Sequence, residues 1–454
     1  MAGQHDLTTG AITRHLLKTM SFMLVTMAFQ TLYYIVDLYW VGKLGTAPVA
    51  AVGLAGNFTF IVLALTQMLG VGTTTVVSHA VGRKDYAQAL LLFNQSQVLA
   101  MITGLLFLIV GMLLRMPYAN AMSADPQTAQ LVGQYLLWFI PAMALQFLIV
   151  AMGAALRAAG NFKPSMVVGS GSVVINMILA PFLIFGWGTG KAFGVAGAAM
   201  SSLIAIVIAI FWLASYFKRE EFLRIEVHTW KPRLDTWKRM LAIGVPTGFE
   251  FVMSSVYMFL VYAALRQFGA AAQAAFGIGM RVVQACFMPV VALGFSVAPV
   301  AGQNFGALLA ERVKRTFKDG ALMAAGMMFL LAVLCKVWPT QMVSVFSNDP
   351  QVIAHGAEYL RIVSWNFIPS GLIFVASSMF QAMGNTMPSL ISSATRITLI
   401  AIPLAYLARQ PGFQMEWIWY LSVATVVVQM ALSLWLLRRE FAIRLREIPE
   451  PVLT

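Results

Sequence analysis

Cysteine and charge are both scarce in this chain. Two cysteines stand among 454 residues, Cys286 and Cys335, each inside an apolar stretch, so neither a disulfide framework nor a CxxC motif can be built. The five histidines (His5, His15, His79, His228 and His355) are scattered along the chain, which excludes a structural metal site with zinc-ligand spacing. Charged residues make up 10% of the chain and hydrophobic residues 60%. A soluble domain carries about 25% charged residues. A water-facing surface cannot be assembled from so few charges, and lipid must be the solvent for much of the exterior. Acidic residues are rarest, which leaves a net charge of +13. The bases sit in short clusters between long apolar runs, a pattern that belongs to membrane orientation and excludes a nucleic-acid partner. Near the N-terminus, Arg14 and Lys18 precede an apolar run with no soluble body after it, so the run reads as a retained first helix, not a cleaved signal.

Twelve apolar segments are each long enough to cross about 30 Å of hydrocarbon. They fall at 15–42, 47–80, 90–114, 131–155, 164–186, 193–217, 240–266, 271–302, 318–338, 356–381, 388–408 and 415–437. Only helices and closed barrels satisfy the backbone in lipid, and these runs are too long for barrel strands. With the N-terminus placed in the cytoplasm, 21 of the 30 basic residues fall in cytoplasmic segments, among them Arg83 and Lys84, Arg219 in the central connector, and Arg438 and Arg439. The outer loops then hold six: Lys43, Arg115, Lys191, Arg266, Lys336 and Arg409. This is the positive-inside distribution, and it puts both termini in the cytoplasm.

The two halves repeat. A gapless shift of 224 residues lays Gly45, Gly53, Gly70 and Gly82 on Gly269, Gly277, Gly294 and Gly306. The same shift lays Asp125-Pro126-Gln127 on Asp349-Pro350-Gln351, and Gly160-Asn161 with Pro164-Ser165 on Gly384-Asn385 with Pro388-Ser389. The fold expected is therefore an all-α polytopic membrane protein. Its twelve transmembrane helices form two six-helix bundles related by a pseudo-two-fold along the membrane normal. The expected domains are residues 1–217, a cytoplasmic connector 218–239, and residues 240–454. Paired bundles that enclose a midplane cleft suit alternating access, and no filter motif of a channel is present.

Several stretches resemble a known family. Tyr34-Ile35-Val36-Asp37, with Gly42-Lys43-Leu44-Gly45 and Ala50-Ala51-Val52-Gly53 after it, is similar to the first-helix signature of multidrug and toxic compound extrusion (MATE) transporters. Leu156 to Asn161 resembles the loop after the fourth helix, Gly194 to Ala199 the start of the sixth, and Phe380 to Thr386 the loop after the tenth. The resemblance covers essentially the whole chain. It implies export of organic, often cationic or amphipathic, drug-like compounds against an inward flow of H⁺ or Na⁺, with no cofactor.

A charge near the bilayer centre costs from about 2.5 to over 10 kcal/mol, so each intramembrane acid asks for an explanation. Asp37 lies about 33 Å from the cytoplasmic end of the first helix at 1.5 Å per residue. It is either a near-interface acid paired with Lys43 or a carboxylate that captures and releases a cation at the mouth of the N-terminal bundle. The family resemblance implies the second. Asn176 and Ser202 can bond the Asp37 side chain, or Asn176 can serve as a plain interhelical hydrogen bond. The family often carries an acid one turn after this Asn; here Ala180 stands there. One carboxylate suits a proton better than a sodium ion, which prefers several oxygens.

Glu250, about 15 Å into the seventh helix, matches a cation-binding Glu in one branch of the family. That branch also carries an Asp in the tenth helix, and no acid occurs from Ile362 to Gln381 here. Arg396 lies about 12 Å from the cytoplasmic end by the same rise, and Arg281 nearer the outer side. Either arginine can form a fixed ion pair with Glu250, or a pair that opens when Glu250 is protonated. Tyr33, Tyr34, Gln284 and Met288 are candidates for the substrate cleft, since aromatic and Met side chains suit promiscuous surfaces.

The function expected is a cation-coupled multidrug antiporter, H⁺ before Na⁺, working as a monomer in a bacterial inner membrane. A flippase for lipid-linked precursors is the nearest alternative, but its cavity asks for more cationic residues than Arg281 and Arg396 supply. A membrane-embedded lipid-modifying enzyme would need a nucleophile with a base, or clustered His and carboxylates, and the sequence shows neither.

Overall fold

The computed structural model describes residues 6–188, 190–218 and 223–446; His5 and Arg219, counted above, lie outside them. The described residues in regular structure are all helical. In chain order the α-helices are α1 (Ile12–Gly42), α2 (Thr46–Ala55), α3 (Asn57–Gly82), α4 (Tyr86–Met122), α5 (Pro126–Ala158), α6 (Lys163–Phe185), α7 (Val195–Phe217), α8 (Leu234–Leu265), α9 (Ala270–Gly306), α10 (Ala310–Val337), α11 (Pro339–Ser344), α12 (Pro350–Val363), α13 (Phe367–Ala382), α14 (Met387–Leu407) and α15 (Met415–Arg444). Twelve spans are long and apolar enough to cross a membrane, α2 with α3 counting as one and α12 with α13 as another. The protein is a multi-pass, all-helical membrane protein.

Three helices, α4, α5 and α12, start ahead of their apolar windows at an aspartate cap. Asp85 accepts from the Gln88 N–H at 3.0 Å and so starts α4 ahead of its apolar core. Asp125 and Asp349, repeat equivalents, cap α5 and α12 by accepting from the Thr128 and Gln351 N–H groups, with Pro126 and Pro350 following at the first helical turn. At the other end, Gly160 and Gly384 adopt φ of 86° and 76°, and Asn161 and Asn385 donate their N–H groups back to the carbonyls of Leu156 and Phe380 at 2.9 and 3.0 Å. This closing turn needs a left-handed residue, which is why glycine sits there in both halves. Lys84 and Leu308 close the equivalent turns after α3 and α9, each at φ 60° without being glycine.

The chain packs as two units whose borders differ from the expected ones at 217 and 240. The first contains Ser21–Val245, and the second contains Leu7–Met20 together with the chain from Pro246 on. The 224-residue shift carries the first border, before Ser21, to within one residue of the second, after Val245. In each half, then, the segment ahead of the first helix and that helix's opening turns pack on the opposite unit.

Side chains buried in the bundle ends fix this exchange. In the first unit Asn94 and Gln95 on α4 are fully buried. Asn94 donates to the Arg224 carbonyl at 2.8 Å and accepts from the Glu226 N–H and the Trp230 Nε1–H at 2.9 and 3.0 Å. Gln95 donates to the carbonyls of Thr229 and Lys231 and accepts from the Arg233 N–H. In the second unit the fully buried Asn304 donates to the Leu7 carbonyl at 3.1 Å, Gln303 accepts from the Leu7 N–H, and Arg312 donates to the Gly10 carbonyl. Leu7 and Lys231, bound in these two clasps, are themselves repeat equivalents.

Close backbone packing follows within the first unit. A Cβ added at Gly72 on α3 would meet the Met240 carbonyl oxygen, and one added at Gly244 on α8 would meet the Met68 carbonyl oxygen. Small residues let membrane helices approach to this distance.

Candidate functional site

In the first unit Asp37 projects from α1, one turn beyond Tyr33. Tyr33 shares a 3.0 Å hydrogen bond with the Ser202 hydroxyl on α7. Asn176 on α6 donates to the same Ser202 oxygen at 3.0 Å and to Ser201 Oγ at 3.3 Å. Asn176, Ser201 and Ser202 are all buried. The expected direct bonds from Asn176 and Ser202 to Asp37 are replaced by this Tyr33–Ser202–Asn176 chain. Asp37 Oδ1 is shut away from solvent without a hydrogen-bond partner. Lys43 does not pair with it; its ammonium lies over the rings of Tyr39 and Trp40, 4.6 and 5.1 Å from their centroids. Ala180, where a second acid would stand, is packed with Ile184, Val195 and Ala198 in the apolar core. The buried Tyr135 on α5 also stands close enough to feel the Asp37 charge. The result is a lone carboxylate with an open acceptor, one turn along α1 from the tyrosine that heads the Tyr33–Ser202–Asn176 chain.

In the second unit Glu250 lies on α8, beside the Ser389 hydroxyl of α14. Ser389 in turn donates to Ser377 Oγ at 2.8 Å. Glu250 Oε1 and the Thr247 hydroxyl are both enclosed without a partner. Among the described residues Glu250 forms no ion pair, and neither Arg396 nor Arg281 reaches it. Arg281 is exposed on α9. Arg396 is occupied by Tyr257, with its guanidinium 4.7 Å from the ring centroid. Tyr257 follows Glu250 by seven residues and Arg396 follows Ser389 by seven, so the arginine sits about 10.5 Å, two turns, beyond the carboxylate. That spacing is the reason the expected pair is not made.

The Tyr257 hydroxyl contacts Ser422 Oγ on α15 at 3.2 Å, and Asn366 donates to the same oxygen at 3.3 Å. Asn366 belongs to a 3₁₀ turn, Ser364–Asn366, between α12 and α13. Pro369, three residues on, has no N–H to give to the Trp365 carbonyl, which accounts for the break and turns an amide inward. Reading the residues alone missed this Tyr257–Ser422–Asn366 chain, although the 224-residue shift takes Tyr33 to Tyr257. The remaining cleft candidates have mixed environments: Tyr34 is 54% exposed and edge-on to Tyr33, Gln284 is exposed, and Met288 is half-buried. No group of three or more His, Cys, Asp or Glu able to hold a metal occurs among the described residues.

The MatE family model matches residues 23–182 and again 246–407, two stretches that the repeat shift superimposes to within a residue. The chain belongs to the MATE family. It is a transporter, not an enzyme. It is 26% identical over 407 residues to the multidrug export protein MepA of Staphylococcus haemolyticus, covering 89% of each chain. It is 25% identical over 411 residues to the FAD transporter of Shewanella oneidensis, covering 90% of each. The fold matches a MOP-superfamily transporter from Pyrococcus furiosus with a TM-score of 0.90 at 22% identity, covering 98% of this chain and 99% of that one. An outward-facing multidrug resistance MATE transporter matches with the same TM-score at 21% identity, covering 97% and 98%.

Proposed function

We propose that this MATE protein is a proton-coupled multidrug efflux antiporter of a bacterial inner membrane, with both termini in the cytoplasm. The observation that carries the reading is Asp37, a carboxylate inside a membrane span that keeps a buried, unpaired oxygen one helical turn from Tyr33, which heads the Tyr33–Ser202–Asn176 hydrogen-bond chain. A carboxylate in such a place is too expensive to keep for packing alone, and cation traffic is the use that accounts for it. One carboxylate with neutral neighbours offers a proton a complete site. Sodium wants more hard oxygens than the single acid supplies, so we assign H⁺. Glu250, whose Oε1 is likewise enclosed without a partner, is the corresponding group of the second unit.

Protonation and drug occupancy then alternate. A proton taken up from outside neutralises the carboxylate and releases the organic substrate; release of the proton inside restores the charge for the next substrate. The relatives named for multidrug export and for FAD transport both support an organic cargo, and the second an aromatic one. The test is ethidium-driven proton movement in proteoliposomes, with and without sodium. Proton efflux from the drug-receiving side that is independent of sodium and abolished by Asp37→Asn is expected. A strict sodium requirement, or full exchange in the Asp37→Asn protein, would overturn the assignment.

A further inference from the structure

Arg396 poses the opposite problem from Asp37. It stands ten residues into α14, one of the membrane spans, and its Nε is enclosed without a hydrogen-bond partner. Among the described residues it joins no ion pair. Its guanidinium lies over the face of Tyr257. A cation–π contact returns about 0.5–2 kcal/mol, whereas a guanidinium at bilayer depth costs at least about 2.5 kcal/mol. The ring therefore does not offset the charge. It does hold the guanidinium plane in place, since Tyr257 is itself fixed by Ser422, which Asn366 also binds. Asn366 Oδ1 is a second buried polar atom left open there. A planar fork of N–H donors, oriented by an aromatic face and lacking a counter-charge, is the arrangement that recognises a carboxylate or phosphate with two parallel bonds.

We propose that Arg396, set on Tyr257, is an anion-recognition subsite for an acidic group, carboxylate or phosphate, on the exported aromatic compound. The proposal rests on the reading of the protein as an exporter of organic molecules and adds that its cargo includes organic anions and zwitterions. The Tyr257 ring supplies a stacking edge, and Arg396 supplies the charge that selects the acidic group. Glu250, two turns away on the same face of α8, is far enough that it does not neutralise the guanidinium.

The experiment compares two planar dyes, anionic fluorescein and cationic ethidium, binding to the purified protein in phosphatidylcholine nanodiscs, read by fluorescence anisotropy. Arg396→Gln is expected to lower the ratio of fluorescein to ethidium affinity by about 10- to 100-fold, the range for losing a charge-assisted bidentate contact. Arg396→Lys, which keeps the charge and loses the fork, should fall between that variant and the wild type. An unchanged ratio in Arg396→Gln, or no fluorescein binding by the wild type, overturns the proposal. So does displacement of fluorescein when phosphatidylglycerol is added to the nanodiscs, since the subsite would then belong to a lipid headgroup. Ethidium-driven proton movement by the wild type, measured in parallel, reports on the exporter reading independently of the anion subsite.

Discussion

Removing the Asn94 side chain should free the connector from the first unit. Asn94 is fully buried and makes three hydrogen bonds to that segment: to the Arg224 carbonyl, from the Glu226 N–H and from the Trp230 indole N–H. Each is worth about 1 kcal/mol net, and Asn94→Ala leaves the connector's donors without their acceptor, so the segment should lose about 3 kcal/mol of local stability. At 1.4 kcal/mol per tenfold, that is about two orders of magnitude in the opening equilibrium. Hydrogen–deuterium exchange of the protein in nanodiscs reads it directly. The Glu226 amide should exchange about a hundredfold faster in the variant, while amides in the middle of α5 keep their wild-type rates. The position matters to transport because α8 leaves the first unit at Val245 and reaches Glu250 five residues later. Exchange at Glu226 within about twofold of wild type would show that Asn94 does not hold the connector, and the energetic argument drawn from its bonds would fail.

Other consequences can be measured separately. Glu250→Gln should reduce drug-driven proton movement in proteoliposomes while ethidium binding persists; full coupling in this variant would leave Asp37 as the proton site. Gly244→Ala sets a methyl against the Met68 carbonyl oxygen, and overpacking of this kind costs about 1–3 kcal/mol, so thermal unfolding in detergent should begin at a lower temperature than in the wild type. Lys84→Gly and Leu308→Gly relieve a left-handed backbone conformation, and after the entropy glycine adds to the unfolded chain each should gain about 0.5–1 kcal/mol. Equal or lower melting temperatures in both would count against strain at those turns.

All twelve spans were legible in the sequence because hydropathy and the repeat both act on many residues at once. The acids were legible for a related reason: a carboxylate inside an apolar run is rare enough to notice one by one. What surrounds each acid was not. Asn176 and Ser202 were found as polar residues of the right helices, yet the order of the chain, in which Tyr33 of α1 rather than Asp37 meets Ser202, depends on helix rotation, which an all-apolar helix does not announce. The supposed Glu250–Arg396 pair failed on the same ground. Depth measured from apolar boundaries placed them level, while α8 begins at Leu234, ahead of its apolar window, and the side chains face different partners. The exchanged first helices were hidden for another reason. Asn94 and Asn304 bind backbone groups, whose identity leaves no trace in the residue pattern.

The two units bear opposite charges beside equivalent tyrosines, and the repeat does not account for the charges. Tyr33 and Tyr257 are equivalent, and the hydroxyl of each shares a hydrogen bond with a serine that an asparagine also binds. Their partners are not equivalent: the 224-residue shift takes Ser202 to Val426 and Asn176 to Ile400, while Ser422 and Asn366 answer to Ala198 and Ala142. The tyrosine was kept and its support was built twice. The charge beside it was also chosen separately, since Asp37 answers to Val261 and Arg396 to Ser172. A structural tyrosine alone would not require a charged neighbour of either sign, because its hydroxyl is already satisfied in both units. A carboxylate beside one and a guanidinium beside the other, each without a counter-ion among the described residues, therefore point to ligands rather than to packing. On the proposed reading a proton suits the first and an acidic group of the cargo the second, so the second unit would carry both a carboxylate for the driving ion, Glu250, and an arginine that reads the substrate, two turns apart.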